Sequence, residues 1–335
     1  MNLKPLNSDN IKAEALRLGF FACGIAEAQA VDTGTAQLMR RWIAEGDHGD
    51  MEYLAHNTDK RLDPRLLMPG LKSIVCVALN YAPAETLPPD EYQLAAYALG
   101  QDYHTVVKDK LRQLASTFGL VEMAWNQQEP INDGRVHFRA FCDSAPILER
   151  YWAVKAGLGW TGRNRQLIIP RAGSMFFLGE LFLDTPLQYD NPQPNRCGTC
   201  HQCIDACPTQ AITLHGAFDA KRCLSYQTIE HHGDLSPQVA DKMGQVIYGC
   251  DRCQQACPWN RYARPNHTPE LQPKPELLSM TREKWQHLSE DDYRKLFKGS
   301  AVKRAKYGGL MRNIKAVDNN AHKLQHKTDN TNKTK

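Results

Sequence analysis

Eight of the eleven cysteines lie in one short segment, between Cys197 and Cys257. The first four form the run C-x2-C-x2-C-x3-C-P, the spacing with which bacterial ferredoxins bind [4Fe–4S] clusters through thiolates. A second run, C-x2-C-x3-C-P, begins at Cys250 and lacks one cysteine, which Cys223 can supply. The spacing therefore predicts two [4Fe–4S] clusters in this segment.

The two runs also predict which cysteines bind which cluster, because the cysteine before proline binds the cluster of the other run. The first predicted set is Cys197, Cys200, Cys203 and Cys257, and the second is Cys207, Cys223, Cys250 and Cys253. Zinc is the alternative, since paired C-x2-C motifs also form zinc ribbons. A zinc site requires neither the third cysteine of the first run nor the two Cys-Pro ends, so the spacing favours iron–sulfur clusters.

Composition indicates the class of protein that carries these cysteines. The chain has 335 residues, is 42% hydrophobic and has a mean hydropathy of −0.54. It has no apolar run long enough for a transmembrane helix and no apolar signal segment at its start. We therefore expect a soluble, cytoplasmic protein whose thiolates stay reduced. Cys23, Cys76 and Cys142 lie in apolar stretches and are expected to be core residues.

The net charge of +4 is unevenly distributed along the chain. Residues 261–335 contain 17 Lys and Arg against 8 Asp and Glu, a net charge of +9, whereas the remainder has a net charge of −5. A basic C-terminal segment suits a polyanionic partner such as RNA. A solvated basic tail without a partner is the alternative, and charge alone leaves both open.

Predicted helices and strands alternate over residues 1–185, which indicates an α+β fold class with an N-terminal α/β domain. The predicted helices are residues 9–20, 35–46, 90–99, 103–119 and 148–156. The predicted strands are residues 71–81, 136–142, 166–170 and 175–183, of which the last two are expected to pair around residues 171–173.

Composition then divides the chain into four predicted regions. They are an N-terminal domain, a ferredoxin-type two-cluster domain, a basic helical region and a disordered polar tail, at residues 1–189, 190–264, 265–318 and 319–335. A linker rich in proline and polar residues precedes the cysteines, and four prolines within residues 261–275 follow them. No dinucleotide or P-loop motif identifies a cofactor of the N-terminal domain.

Several stretches, in this order and spacing, resemble the epoxyqueuosine reductases, which are cobalamin-dependent iron–sulfur enzymes of tRNA modification. These stretches are KRLDP, GQDYH, CDSAP, GWTGRN, GSMFFLGE, CLSYQTIE and YGCD, which begin at residues 60, 100, 142, 159, 173, 223 and 248. The resemblance implies an oxidoreductase that reduces epoxyqueuosine, at the wobble position of tRNA, to queuosine with loss of water. It also implies that the two clusters pass electrons to cobalamin, whose resting form is cob(II)alamin.

The resemblance further implies partners and site residues. Partners are the anticodon loop of tRNA and an unidentified low-potential electron donor, with the enzyme as a monomer off the membrane. Asp143 matches the family's proton donor, for which a helix N-cap is the structural alternative. The residues matching cobalamin contacts are Arg61, Tyr103, Asp143, Ser144, Asn164, Leu167, Ser174, Leu178 and Ser225. Burial at the end of a strand is expected to raise the pKa of Asp143. His104 could chemically be a lower cobalt ligand, but the resemblance does not support that role.

The C-terminal region departs from the family pattern. Many members carry a longer helical repeat region that helps to hold tRNA, whereas this sequence has a short, truncated HEAT-like region. We therefore expect tRNA contacts from the basic segment 294–315, with Lys303, Arg304, Lys306 and Arg312 as candidates for binding phosphates. Two alternatives remain: a corrinoid reductase of a small molecule such as an organohalide, and a non-catalytic electron-transfer protein.

Overall fold

The computed structural model describes residues 3–214 and 218–332, with 321–332 described as backbone. The strands are β1 (Ala22–Glu27), β2 (Ser73–Asn80), β3 (Gln93–Leu94), β4 (Val121–Glu122), β5 (His137–Phe141), β6 (Trp160–Thr161), β7 (Leu167–Ile168), β8 (Phe176–Leu183) and β9 (Val246–Tyr248). The helices are α1 (Ser8–Arg17), α2 (Thr33–Ala44), α3 (Thr58–Leu62), α4 (Tyr103–Thr117), α5 (Glu149–Lys155), α6 (Gln202–Asp205), α7 (Leu224–Ile229), α8 (Pro237–Met243), α9 (Arg252–Gln255), α10 (Pro275–Leu278), α11 (Arg282–Gln286), α12 (Glu290–Leu296) and α13 (Lys306–Asn332). None of these helices is long and apolar enough to cross a membrane.

A five-stranded sheet forms the centre of the N-terminal region, in the order β1-β2-β8-β5-β4. All neighbours are antiparallel except β4 and β5, which are parallel. Strand β2 is buried at every residue except the last. Its continuous apolar sequence is typical of a strand that is covered on both faces.

Helices cover both faces of this sheet. On one face, Ile11 of α1 and Leu111 of α4 pack in a core with Val75 and Val77 of β2. On the other face, Trp152 of α5 packs in a second core that contains the alternate residues of β2. Because successive side chains of a strand point to opposite faces, the two cores share β2. The mixed helix and strand content confirms the α+β class in its coarse form.

A third core joins the C-terminal helices to a segment of the N-terminal region. Trp285, Phe297 and Leu310 of this core pack with Tyr92, which directly precedes β3, and with Tyr248 of β9, the strand that pairs in parallel with β3. The fully buried Asn313 of α13 donates from Nδ2 to the carbonyl oxygens of Thr228 and Ile247, at 2.8 Å each. The C-terminal helices thus share a core with residues 87–99.

The predicted helix 90–99 is wrong, because the structure has β3 and a 3-10 turn, Ala96–Ala98, in its place. Pairing with β9 decides this segment, and the amide of Ala95 donates to the carbonyl oxygen of Tyr248 at 2.8 Å. The predicted pairing of the last two strands is also wrong. Strand β7 pairs with β6, while β8 enters the central sheet between β2 and β5.

Strand β1 has no counterpart among the predicted elements, and the end of the chain also differs from prediction. Residues 319–332, predicted to be disordered, continue α13 as backbone. The tail has no proline, and no glycine follows Gly309, so no residue in it interrupts a helix. Residues 333–335 of the predicted tail lie outside the described residues. The predicted helical stretch 281–317 is divided into α11, α12 and the start of α13.

Candidate active site and cysteine sites

Asp143 lies in the loop after β5, and its backbone has a φ of 54°, in the left-handed region. A non-glycine residue adopts this conformation rarely, at a cost of about 1–3 kcal/mol, unless its surroundings impose it. The side chain is 57% exposed. Helix α5 begins six residues later and is capped by Leu148, so Asp143 is not its N-cap. That alternative for Asp143 is therefore excluded.

Two side chains from the start of α4 reach the same oxygen of Asp143. The Tyr103 hydroxyl donates a hydrogen bond to Oδ2, and Nε2 of His104 lies 3.7 Å from it. Asp102 caps α4 and contacts Nδ1 of His104 at 2.6 Å. The Tyr103 ring also stacks on Phe177 of β8, with centroids 4.2 Å apart. Packing and capping thus fix both partners of Asp143.

These contacts set the charges at the site. Burial by itself lowers the pKa of His104, but Asp102 and Asp143 outweigh it and raise the pKa to about 9. Neighbouring side chains displace water from the Asp143 carboxyl group even though it is partly exposed, and this desolvation would raise its pKa, yet hydrogen bonds with His104 and Tyr103 outweigh it and lower that pKa. The expectation that burial raises the pKa of Asp143 is therefore wrong in its net direction. Near neutral pH the site holds a carboxylate beside an imidazolium.

Arg61 of α3 lies beside this loop. Only 8% of the residue is exposed. One guanidinium nitrogen, Nη2, donates to the carbonyl oxygen of Tyr53 at 3.0 Å, whereas Nε has no partner among the described residues. Burial lowers the pKa of Arg61, and the nearby carboxylates of Asp143 and Glu149 oppose that shift. A buried donor without a partner fits a site that accepts a polar group from a bound molecule.

The predicted cobalamin contacts divide between this loop and the cysteine segment. Arg61, Tyr103, Asp143 and the exposed Ser144 lie at or beside the loop. Leu167 belongs to the core beneath it, together with Phe141, and Leu178 packs against that core. These residues are brought together around one end of the sheet.

The other three predicted contacts lie next to the cysteines. Asn164 is 4% exposed, lines the cavity of the first cysteine set and has no partner for Nδ2 in the described chain. Ser174 is tied to Asn260, which accepts from its amide at 2.6 Å and donates to its hydroxyl at 3.1 Å. Ser225 follows Cys223, and its backbone lowers the pKa of that thiol by hydrogen bonding, although burial raises it overall.

The first cysteine set surrounds one cavity of about 250 Å³, whose wall contains Cys197, Cys200, Cys203 and Cys257. The indole Nε1 of Trp160 donates to Sγ of Cys197 at 3.5 Å. Trp259 crosses Trp160 edge to face, with centroids 5.0 Å apart. Four thiols around one partly apolar cavity fit the ligand set of a [4Fe–4S] cluster.

The second set is also brought together. Burial raises the pKa of Cys253, and the neighbouring thiols of Cys250, Cys223 and Cys207 raise it further. The amide of Ala211 donates to Sγ of Cys207 at 3.3 Å. The structure thus places Cys257 with the first run and Cys207 with the second. This agrees with the prediction that the cysteine before each proline joins the cysteines of the other run. The assignment of these thiols as ligands stays a prediction.

Two of the four predicted phosphate-binding residues are occupied within the protein. Arg304 forms an ion pair with Glu230 at 2.7 Å. Arg312 donates to the backbone carbonyl oxygens of residues 227, 231 and 233. Lys303 and Lys306 are exposed and form no ion pair in the described part of the chain. The two lysines are therefore the better candidates for phosphates.

Sequence reasoning missed two acidic residues near Asp143. Glu149 accepts a hydrogen bond from the backbone amide of Asp143. Glu180 is fully buried in the middle of β8. A signal for Glu180 is present in the sequence, because an acidic residue interrupts the apolar run FFLGELFL. No comparable signal marks Glu149, which opens a helix as many glutamates do.

Comparison with known proteins identifies the family. The family "Epoxyqueuosine reductase QueG, DUF1730" matches residues 61–144, and the family "4Fe-4S double cluster binding domain" matches residues 196–260. An epoxyqueuosine reductase of Cellulophaga algicola is 44% identical over 316 residues, which cover 94% of this chain and 99% of that relative. This chain belongs to the epoxyqueuosine reductase family.

Solved epoxyqueuosine reductases share the fold. One, in complex with an epoxyqueuosine-modified stem loop of tRNA-Tyr, has a TM-score of 0.77 and 27% identity over 92% of this chain and 80% of its own. Another, from Bacillus subtilis, has its catalytic aspartate loop swung out of the active site. It has a TM-score of 0.75 and 27% identity, with the same coverage of both chains.

Family membership confirms the predicted activity and cofactors. The chain is an oxidoreductase that reduces epoxyqueuosine to queuosine in tRNA, with two [4Fe–4S] clusters and cobalamin. The small-molecule reductase and the non-catalytic electron carrier are not favoured, since the relatives are named for the tRNA nucleoside.

Proposed function

We propose that epoxyqueuosine is reduced at the Asp143 loop and that Asp143 delivers the proton to the departing oxygen. Conversion of the epoxide to an alkene consumes two electrons and two protons and releases one water. When bound, cobalamin supplies low-valent cobalt, a reductant for the epoxide carbon, and the two clusters supply its electrons. The residues described below hold the reacting groups and move the proton.

The observation that carries this proposal is the shared oxygen of Asp143, which contacts Tyr103 and faces His104 at 3.7 Å. A proton donor must hold a proton when the oxygen leaves, and the pKa of Asp143 is lowered at rest. His104 stores a proton because its pKa is raised to about 9. Substrate binding over the exposed carboxylate removes water and favours transfer of that proton from His104 to Asp143.

The predicted cobalamin contacts would act in two ways. Arg61 and Asn164 offer buried donors without partners, which suit polar groups at the edge of a corrin. Leu167 and Leu178 would provide apolar packing, and Ser144 would contact the cofactor from the loop. Ser174 and Ser225 are engaged with Asn260 and Cys223, so they would act mainly by fixing the cysteine segment beside the cofactor.

The remaining roles concern partners. The anticodon loop of tRNA would bind at the exposed side of Asp143, with Lys303 and Lys306 contacting phosphates. A low-potential electron donor would reduce the clusters. We expect a monomer in the cytoplasm, where thiolate ligands are not oxidised to disulfides.

Replacement of Asp143 by asparagine tests the proposal, because the amide keeps the shape of the side chain and cannot donate an acid proton. General acid catalysis contributes roughly 10²–10⁴-fold. We expect Asp143→Asn to lower single-turnover rates at least about 100-fold, with unchanged affinity for a stem loop carrying epoxyqueuosine. Asp90→Asn, at an exposed position, is the matched control. A D143N rate equal to that of D90N would remove Asp143 as the donor.

A further inference from the structure

A buried carboxyl group lies in the central sheet behind the Asp143 loop. Glu180 of β8 is opposite Cys76 of β2 on one side and Phe141 of β5 on the other. It is 0% exposed, and within the described residues its carboxyl oxygens meet no backbone or basic donor, so that their polar contact is the carboxyl group of Glu149. Burial and the neighbouring Glu149 raise the pKa of Glu180 well above its ordinary value. A carboxyl group buried in this way favours its protonated, neutral form.

Glu149 lies between this buried acid and the loop. Its Oε1 accepts a hydrogen bond from the backbone amide of Asp143. Burial, and then the charge of Asp143, raise the pKa of Glu149 to about 8. The same carboxyl group interacts with Glu180 behind it. Glu149 thus connects the rigid sheet to the residue whose backbone is in the left-handed region.

We propose that Glu149 is a positioning residue for Asp143: backed by the buried Glu180, its carboxyl group holds the Asp143 amide and fixes the turn that presents the Asp143 carboxylate to the substrate. This inference rests on the proposed role of Asp143. The left-handed turn of an aspartate is costly, and the amide contact from Glu149 offsets part of that cost. The active conformation of the loop therefore depends on a side chain that acts through the backbone of Asp143.

Several titratable and charged groups face Glu149 and enter its pH dependence. They are Asp143, Glu180, Arg150 and Arg61, together with the buried thiols of Cys76 and Cys142. Because its pKa is raised, Glu149 is neutral below about pH 8 and ionises above it. Ionisation adds a negative charge beside Asp143 and raises the proton affinity of Asp143. The neutral acids give an infrared carbonyl band that is distinct from the carboxylate bands.

Three variants test the inference in the protein loaded with both clusters. Glu149→Gln keeps an acceptor oxygen for the Asp143 amide, whereas Glu149→Ala removes it, and Glu85→Ala at an exposed site is the control. We expect E149A to lower kcat about tenfold with unchanged KM and unchanged stem-loop affinity, and E149Q to recover most of the loss. The carbonyl band should diminish between pH 7 and pH 9 in the wild type but not in E149Q.

The outcomes separate this inference from the proposed function. Wild-type kcat in E149A beside an inactive D143N would overturn only the positioning role, whereas full activity of D143N would overturn the role of Asp143. A carbonyl band that titrates equally in wild type and E149Q would contradict the assignment to Glu149. If E149A fails to retain its clusters, Glu149→Asp is the variant to measure. Its side chain is one methylene shorter, which moves the acceptor oxygen away from the Asp143 amide. Wild-type kcat in that variant would overturn the inference.

Discussion

One oxygen of Asp143 receives a hydrogen bond from Tyr103 and lies next to the imidazole of His104. All three residues lie in stretches of the sequence that resemble the epoxyqueuosine reductases, but 40 residues separate Tyr103 from Asp143. Their contact depends on α4 and the end of β5 meeting at one edge of the sheet. The resting proton is consequently on His104, which a sequence reading of Asp143 alone does not show.

The raised pKa of His104 makes its contribution to stability depend on pH. A histidine whose pKa is higher in the folded than in the unfolded protein stabilises the folded state, and this stabilisation is fully present below the unfolded pKa. For His104 the unfolded pKa is about 6.5, and the stabilisation is lost as the pH rises through about 9. His104 is 32% exposed. Allowing for solvent screening, we expect about 1–2 kcal/mol at pH 6.

Thermal unfolding of His104→Asn measures this contribution. The Tm difference between wild type and H104N should be largest near pH 6 and should shrink by pH 9.5. His56→Asn, at an exposed histidine of the same region, is the control and should show little pH-dependent difference. An equal Tm difference for H104N at both pH values would contradict the charged state of His104.

Single basic residues show another limit of sequence reasoning. Charge and position made Arg312 a candidate for phosphate binding, yet its guanidinium holds three backbone carbonyl oxygens of residues 227–233. Arg304 is similarly taken by Glu230. The sequence shows that the Arg312 side chain is charged. Its hydrogen-bond partners, however, lie in a segment about 80 residues away, which local sequence does not reveal.

At the scale of elements, the grouping of the cysteines into two sets could be predicted. Local spacing gives most of each set, and the rule for the cysteine before proline gives the rest. Helices α6 and α9 lie at matching places within the two runs, before Cys207 and Cys257, and contact each other; Cys257 lines the cavity of the first set. The short elements around them were less predictable. Residues 90–99 suit a helix locally, but pairing with β9 and burial of Tyr92 select β3 instead.

Paired cysteine variants test the crossing of the two runs. If Cys257 belongs with Cys197, then the double variant Cys197→Ala with Cys257→Ala loses one cluster and keeps about four iron atoms per chain. If Cys250 belongs to the other cluster, Cys250→Ala with Cys257→Ala loses both and keeps almost none. Iron content per chain after anaerobic reconstitution is the measurement.

Cys23→Ala is the control for these variants, because Cys23 packs against a core of the central sheet and should leave about eight iron atoms bound. The opposite pattern, with about four iron atoms in C250A/C257A and almost none in C197A/C257A, would show that each run binds its own cluster.

At the scale of the whole molecule, the cysteine segment is held between the central sheet and the C-terminal core. Asn260 joins it to Ser174 beside β8, and Asp251 accepts from the amide of Ala96 at 2.6 Å beside β3. The sequence predicts a basic helical region at residues 265–318. In the structure, helices of that region share a core with Tyr92 and Tyr248. Such sharing depends on long-range packing, which composition and linkers do not reveal.

We propose that electrons collected by the clusters are used at the Asp143 loop to remove the epoxide oxygen from a tRNA nucleoside. Anaerobic incubation of the reconstituted protein with cobalamin, a low-potential reductant and an epoxyqueuosine-containing anticodon stem loop tests it, with mass analysis of the released nucleosides. We predict queuosine, lighter than the substrate by one oxygen atom, in amounts that depend on cobalamin and on Asp143. Unchanged epoxyqueuosine with a protein that holds both clusters and cobalamin would contradict the account.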